Sequence, residues 1–129
     1  MKPAQTHSHL ALVTVPDRAT AQRLAKACLE QHLVACANIL PGVESVYWWQ
    51  GKIESEQELL ILFKTTSQNL SQLQDLILRE HPYDVPEFIS FPIDTGSPDY
   101  LSWIQKECSP LKDRQTHNTP QSATGESKH

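Results

Sequence analysis

In the first part of the chain, apolar residues form a continuous run and then recur at intervals of three and four. This pattern predicts a buried strand followed by an amphipathic helix. The continuous apolar run at residues 9–15 ends at Pro16, which is typical of a central strand. After it, apolar residues return at intervals of three and four, which predicts a helix capped by Asp17 and ending near His32. The apolar positions of this helix are Ala21, Leu24, Ala25, Cys28 and Leu29.

In the middle of the chain, residues alternate between two faces, as they do in strands. A second strand is predicted over residues 34–50, with a bulge or bend at Pro41-Gly42 because proline cannot donate to a strand ladder. A tight turn at Gln50-Gly51 leads into a third strand, residues 52–65. Alternate residues share a face in each arm: Val43, Ser45, Tyr47 and Trp49 before the turn, and Ile53, Ser55, Gln57, Leu59, Ile61 and Phe63 after it.

This hairpin has longer arms than a small sheet usually contains. Such arms expose unpaired N–H and C=O groups unless another strand covers them. Because little else in the sequence is strand-like, we expect other copies of the same chain to cover these edges.

The last part of the sequence predicts two helices separated by a short strand. Thr66 or Ser67 can cap the first of them, and this helix must stop at His81 because Pro82 disfavours helical geometry in the residue before it. We expect Leu70, Leu73, Leu76 and Ile77 to face inward. A strand follows at residues 87–92, and Ser97 with Pro98 begins a helix that continues to Cys108.

The resulting order, β-α-β-β-α-β-α, predicts a ferredoxin-like α/β sandwich of the α+β class with an extended hairpin. The folded domain is predicted over residues 9–108. Residues 1–8 are expected to be flexible, and the polar tail 109–129 is expected to be disordered. Many unrelated functions use this fold, so the fold alone does not select one.

Composition narrows the function classes. The chain of 129 residues has a net charge of −4 and no basic run, which disfavours nucleic acid or an anionic membrane as partner. No run approaches the roughly 20 apolar residues of a membrane span, and the start of the chain lacks the pattern of a signal peptide. The three cysteines are an odd number and include no C-x-x-C pair, so they do not indicate a disulfide framework. We therefore expect a reduced, cytoplasmic protein.

Motifs that would indicate an enzyme are missing from the sequence. It contains no Gly-rich phosphate loop, no recognisable Ser-His-Asp or Cys-His constellation and no H-E-x-x-H. We therefore expect a protein that binds and does not catalyse.

Six segments, in the same order along the chain, resemble the CutA divalent-cation tolerance family. They span about residues 9–108: TVPD at 14–17, LVACANI at 33–39, S-x-Y-x-W-x-G-K-I at 45–53, ELL with KT within 58–65, H-P-Y-x-V-P-E at 81–87 and G-x-x-x-Y-L-x-W-I at 96–104. The resemblance implies a homotrimer whose hairpins extend the sheets across subunits, similar in shape to the PII signalling proteins. It also implies a role in tolerance of copper and other divalent cations.

His81 is the best single candidate for a metal ligand, with Glu80 and Glu87 completing a mixed site for Cu(II) or another divalent cation. The alternative is a His that interacts with the helix dipole and stacks on Pro82. The resemblance implies copper ligation by a Cys and two adjacent His, at positions that are similar to Val13, Glu80 and His81 here. Two of these three ligands are absent.

A second candidate site is a cleft between subunits, where the hairpin of one chain approaches the 81–87 turn of the next. Its candidate residues are Tyr47, Trp49, Lys52, Glu58, Lys64 and Tyr83. The alternative for the aromatic residues is interface packing. The alternating Glu54, Glu56 and Glu58 are either solvated or a weak cation site.

The remaining candidates are cysteines and histidines. Cys28 and Cys36 are expected to pack as small apolar side chains, and Cys108 is expected to be partly exposed. His7 and His9 could bind a metal ion loosely.

Three hypotheses follow. The first is a CutA-like homotrimer of the cytoplasm that binds divalent metal ions weakly and requires no cofactor. The second is a PII-like signalling module that binds a small metabolite in the cleft between subunits. The third is a scaffolding trimer without a ligand. An enzyme of unknown reaction ranks below all three.

Overall fold

The computed structural model describes residues 7–109, which form a four-stranded antiparallel sheet and three α-helices. The elements are β1 (Ser8–Val15), α1 (Arg18–Glu30), β2 (Cys36–Trp49), β3 (Lys52–Thr66), α2 (Leu70–Glu80), β4 (Ile89–Pro92) and α3 (Pro98–Glu107). The strands lie in the order β2-β3-β1-β4. The predicted sequence of elements and the ferredoxin-like arrangement are confirmed.

The core lies on one face of the sheet, where α1 and α2 pack. Alternate residues of β1 and β3 point into it because side chains along a strand alternate between faces. Its fully buried members include Val13, Ile61 and Phe63 from the strands, Leu24 and Cys28 from α1, and Leu73 and Ile77 from α2. The helical spacing therefore identified the buried side of both helices, except that Leu29 is exposed and Leu70 is only half-buried.

The opposite face of the sheet is also apolar. Leu12 is paired with Leu62 of β3 and with Ile89 of β4, so these three side chains share that face. Ile89 and its neighbour in the same row, Phe91, are exposed. This second face, which we call the open face, carries apolar side chains that α1 and α2 do not cover.

The hairpin turn has the geometry that its sequence predicts. Gln50 and Gly51 both have positive φ angles, 50° and 82°, as in the two-residue turns that match the twist of strands. Trp49 and Lys52 are the last pair of the ladder.

The predicted bulge is present at Pro41-Gly42. The ladder passes from the pair Leu40–Leu60 to the pair Val43–Glu58, so two residues of β2 lie opposite one residue of β3. Gly42 takes a φ of 77°, which glycine adopts without strain. Because of the extra residue, odd-numbered residues of β2 beyond the bulge share a face with even-numbered residues of β3.

Helix α1 begins as predicted. The Asp17 carboxylate accepts a hydrogen bond of 2.8 Å from the backbone N–H of Thr20. At the other end, His32 has a φ of 55°, and the next backbone N–H, that of Leu33, donates to the carbonyl of Cys28. This is the closing turn in which a left-handed residue follows the helix.

The predicted cap of α2 is wrong. A 3₁₀ turn, Ser67–Asn69, precedes the helix, and neither Thr66 nor Asn69 makes a side-chain cap hydrogen bond. The Ser67 hydroxyl instead accepts a hydrogen bond from the backbone N–H of His7. The carbonyl of His7 in turn accepts from the N–H of Ser67, so this pair ties the start of the domain to the end of β3.

Three further boundaries or exposures differ from the predictions. Ser8, assigned above to the flexible start, is buried in β1 and paired with Thr66. Strand β4 begins at Ile89, two residues later than predicted. Cys108, expected to be partly exposed, is buried; its carbonyl accepts a hydrogen bond from Asn69, and its Sγ lies 3.9 Å from the carbonyl oxygen of Leu33.

The predicted flexible start and disordered tail otherwise lie outside the described residues. Over residues 7–109, none of the helices combines the length and apolar character that a bilayer crossing requires.

Candidate functional site

A groove of about 990 Å³ lies between the outer half of the hairpin and the loop that follows α2. From the hairpin it is lined by Ser45, Val46, Tyr47, Trp48, Trp49, Glu54, Glu56 and Glu58; from the loop by Pro82, Tyr83, Asp84, Val85 and Glu87; and from β1 by Thr14. We refer to it as the carboxylate groove, because five of these residues carry carboxylates.

One hydrogen bond joins the two sides of the groove. The hydroxyl of Tyr83 donates to Oε2 of Glu58 at 2.6 Å. Glu58 is only 7% exposed, although its neighbours toward the turn are exposed. Burial, followed by the hydrogen bond to Glu58 and its charge, raises the pKa of Tyr83 well above its usual range. Tyr83 therefore stays a neutral donor.

Glu87 brings a second carboxyl group near Glu58. Burial raises the pKa of Glu87, and the negative charge of Glu58 raises that pKa further. Among the described residues that line the groove there is no Lys or Arg. The groove therefore has a negative potential, and the cation nearest to it along the strand face of the glutamates is Lys52, at the turn.

The hairpin contributes a row of alternating carboxylates and aromatic side chains. Glu54 is paired with Tyr47, and Glu56 is paired with Ser45, so all four share the face of Glu58. The hydroxyl of Tyr47 donates to Oε1 of Glu56. This arrangement depends on the bulge, which moves Tyr47 to the carboxylate face.

His81 is held in the structure by both of its ring nitrogens. Nε2 lies 2.8 Å from the carbonyl oxygen of Thr14 and donates to it, and Nδ1 accepts from the backbone N–H of Tyr83 at 3.1 Å. This pattern requires the neutral ring with its proton on Nε2. The ring also lies 4.6 Å from that of Tyr83, between centroids, and the residue is buried. His81 therefore fastens the loop to β1 and has no free lone pair for a metal ion.

The other positions of the predicted metal site are also engaged elsewhere. Glu80 forms an ion pair of 3.4 Å with Arg23, on the outer side of the helices. Val13 is fully buried in the core. Throughout residues 7–109, no group of three or more His, Cys, Asp or Glu side chains is placed to hold a metal ion. The structure thus does not assemble His81, Glu80 and Glu87 into one site, and these positions do not fit the copper ligands that the resemblance implies.

The predicted cleft residues separate into two groups. Tyr47, Trp49, Glu58 and Tyr83 line the groove within a single chain. Lys52 and Lys64 do not line it.

Lys64 lies instead on the open face. Its Nζ is 2.5 Å from Oδ1 of Asn38 and 4.0 Å from Sγ of Cys36, and it lies above the ring of Tyr100. Lys64 is therefore not part of the groove of the single chain, and its place in a cleft between subunits stays a prediction.

Comparison with known proteins decides the family. The family model described as CutA1 divalent ion tolerance protein matches residues 9–107. The chain belongs to this family. A CutA1-family protein of Thermus thermophilus, named divalent-cation tolerance protein CutA, is 44% identical over 95 residues, which are 74% of this chain and 92% of that protein. The protein of the same name from Escherichia coli is 43% identical over 103 residues, 80% of this chain and 92% of the relative.

Solved structures of CutA1 proteins have the same fold. The structure of a protein named periplasmic divalent cation tolerance protein CutA, from Archaeoglobus fulgidus, has a TM-score of 0.77 at 34% identity. The match covers 79% of this chain and 99% of that protein. The overall fold is thus shared with solved structures of the CutA1 family.

Sequence reasoning missed part of the groove. It treats Glu54 and Glu56 only as a solvated or weakly binding row, and it does not identify Thr14 and Asp84 as walls. The available signal was Pro41-Gly42, because one extra residue in β2 changes which residues of the two strands share a face.

Proposed function

We propose that this CutA1-family chain acts as a cytoplasmic homotrimer in the tolerance of divalent cations, copper among them, by binding and not by catalysis. The observation that supports the trimer is the apolar surface that the single chain leaves exposed. On the hairpin face opposite the carboxylates, Ile53 is 63% exposed. Its partner Trp48, whose strand position is on the same face although the residue also borders the groove, is 72% exposed. The open face adds Ile89 and Phe91.

Exposed apolar area of this extent on two faces is typical of a subunit interface. Strand β2 is also an edge of the sheet, with a row of unpaired backbone groups along its 14 residues. Copies of the same chain cover both features when their hairpins interlock.

Sedimentation velocity at several protein concentrations tests the assembly. We expect a species of three chains for the wild type and dissociation for Ile53→Glu, which places a charge in the interface. Leu78→Glu is the matched control, because Leu78 is an exposed apolar residue on the outer side of α2. A compact single chain for the wild type at micromolar concentration would overturn the trimer.

Weak cation binding is proposed for the carboxylate groove and not for His81. The support is the proximity of Glu58 and Glu87, whose mutual repulsion a bound cation relieves. Carboxylate oxygens suit hard divalent ions. Cu(II) would bind through oxygen ligands alone, because no imidazole lies among the described residues that line the groove.

Isothermal titration with Cu(II), Zn(II) and Mn(II) tests this proposal. We expect Glu87→Gln to weaken binding, because one of two neighbouring charges is removed. Glu44→Gln serves as the control, since Glu44 is paired with Gln57 on the opposite face of the hairpin. Identical isotherms for the wild type and Glu87→Gln would exclude the groove as the metal site.

A second candidate function is a PII-like signalling module that binds a small metabolite. It is favoured by the volume of the groove, about 990 Å³, which is within the usual range for small-molecule sites, and by its aromatic walls. A thermal-shift screen tests it, because a ligand of the native state raises the melting temperature. Trp49→Ala should abolish the shift if the ligand lies in the groove.

The proposed location and partners follow from the sequence. The net charge of −4 supports a protein without nucleic-acid or membrane partners. Fractionation of the source cells, followed by immunodetection, distinguishes the proposed cytoplasmic location from the periplasmic one that the name of the Archaeoglobus relative gives.

A further inference from the structure

We infer that the carboxylate groove is a binding site for an aliphatic polyamine, whose ammonium groups lie on the glutamate row and whose methylenes lie on the aromatic wall. This inference rests on the second candidate function and names its class of ligand.

The first argument is charge. The groove is lined by Glu54, Glu56, Glu58, Asp84 and Glu87 and, among the described residues, by no Lys or Arg. Lys52 is the next residue on the strand face of the glutamates, at the turn, so the five carboxylates outnumber the one cation beside them. Glu58 is almost completely buried, and its side-chain partner in the groove is the neutral hydroxyl of Tyr83. A cationic ligand lowers the electrostatic free energy of this arrangement, whereas an anionic metabolite such as a nucleotide raises it.

The second argument is the aromatic wall. Tyr47 and Trp49 lie on the same strand face as the glutamates, and Tyr83 faces them from the loop. Ammonium groups are attracted to the faces of such rings, by about 0.5–1 kcal/mol at exposed sites. Methylene groups between the ammonium groups bury apolar area against the same rings.

The third argument is spacing, which favours an extended ligand over a single ion. Alternate residues on a strand are about 7 Å apart, so the row from Glu54 to Glu58 extends about 13 Å. A metal ion holds carboxylate oxygens at about 2.0–2.6 Å and cannot bridge the whole row. Consistently, residues 7–109 contain no three-ligand metal cluster. An aliphatic chain with ammonium groups a few bonds apart can contact successive glutamates.

Isothermal titration with spermidine, at fixed ionic strength, tests the inference. We expect saturable binding that Glu54→Gln and Trp49→Ala each weaken about threefold or more, as expected for loss of one partly exposed charge contact or one ring. Glu44→Gln removes the same charge from the same strand pair but on the opposite face, and we expect it to leave the affinity unchanged. Sodium chloride at equal ionic strength measures nonspecific screening.

Two results would overturn the polyamine site. One is an equal loss of affinity in Glu44→Gln, and the other is a sodium chloride isotherm that matches that of spermidine, because both indicate a general counterion effect. The thermal-shift screen separates the failure of the polyamine site from the failure of metabolite binding. If a different compound raises the melting temperature and Trp49→Ala abolishes that rise, the metabolite-binding function stands and the polyamine is excluded. If neither spermidine nor any screened compound binds, both fail.

Discussion

The hydroxyl of Tyr83 and the carboxylate of Glu58 form a 2.6 Å hydrogen bond that connects the loop after α2 to the middle of β3. The bond holds the two walls of the carboxylate groove at a fixed separation, because Tyr83 belongs to the loop wall and Glu58 to the hairpin wall. It also offsets the cost of burying Glu58, because Glu58 forms no ion pair with any of the described residues.

Removal of the Tyr83 hydroxyl should therefore destabilise the fold. We expect Tyr83→Phe to lower the free energy of unfolding by about 1–3 kcal/mol, because a buried carboxylate loses its donor. Tyr47→Phe is the control: its partner Glu56 is exposed, so the loss should stay below about 0.5 kcal/mol. Urea denaturation monitored by circular dichroism measures both. Equal losses in the two variants would contradict the role assigned to Glu58 burial.

Glu87 makes stability depend on pH. The pKa of Glu87 in the folded chain is raised above the ordinary value of 4.5, first by burial and then by Glu58. Above that ordinary value the unfolded chain releases this proton while the folded chain retains it. The contribution of Glu87 to stability is thus fully present below 4.5 and is lost as pH rises through the folded-state pKa.

Substitution of Glu87 by Gln should remove this component. We expect the stability of Glu87→Gln, relative to the wild type, to increase between about pH 4 and pH 7. Chemical denaturation across this range provides the measurement, with Glu44→Gln as the control for a change in net charge. A constant difference between Glu87→Gln and the wild type at every pH would show that the pKa of Glu87 is not raised in the folded chain.

His81 should be important for stability and not for metal affinity. Both ring nitrogens are hydrogen bonded, and His81→Ala leaves the carbonyl of Thr14 and the N–H of Tyr83 without these partners. We expect a loss of about 2–3 kcal/mol in the free energy of unfolding. Titration of the folded variant with Cu(II) should give the wild-type isotherm. A folded variant that has lost copper binding would restore His81 as a ligand.

The sequence predicted the elements of the fold more successfully than the contacts of its polar residues. The run at 9–15, the spacing in α1 and α2, and the turn at Gln50-Gly51 each depend on neighbours in sequence, and all three are confirmed. The surroundings of His81 depend instead on Thr14, which is far away in sequence, and no local pattern predicts that the two residues are in contact. The same limit applies to Cys108, which Asn69 and Leu33 bury from separate parts of the chain.

The turn at Gln50-Gly51 allows the hairpin to be stabilised without a change in either face. Gln50 has a φ of 50°, a conformation that asparagine tolerates better than glutamine, and an Asn-Gly pair is the strongest signal for this turn. We expect Gln50→Asn to raise the free energy of unfolding by about 0.5 kcal/mol, measured by urea denaturation. Gly51→Ala is the opposite test: at a φ of 82° an added Cβ meets no neighbouring atom, so the expected loss of about 1 kcal/mol comes from backbone strain alone. If both variants match the wild type, the turn opens independently of the rest of the fold, and the hairpin is held by its contacts with other copies of the chain.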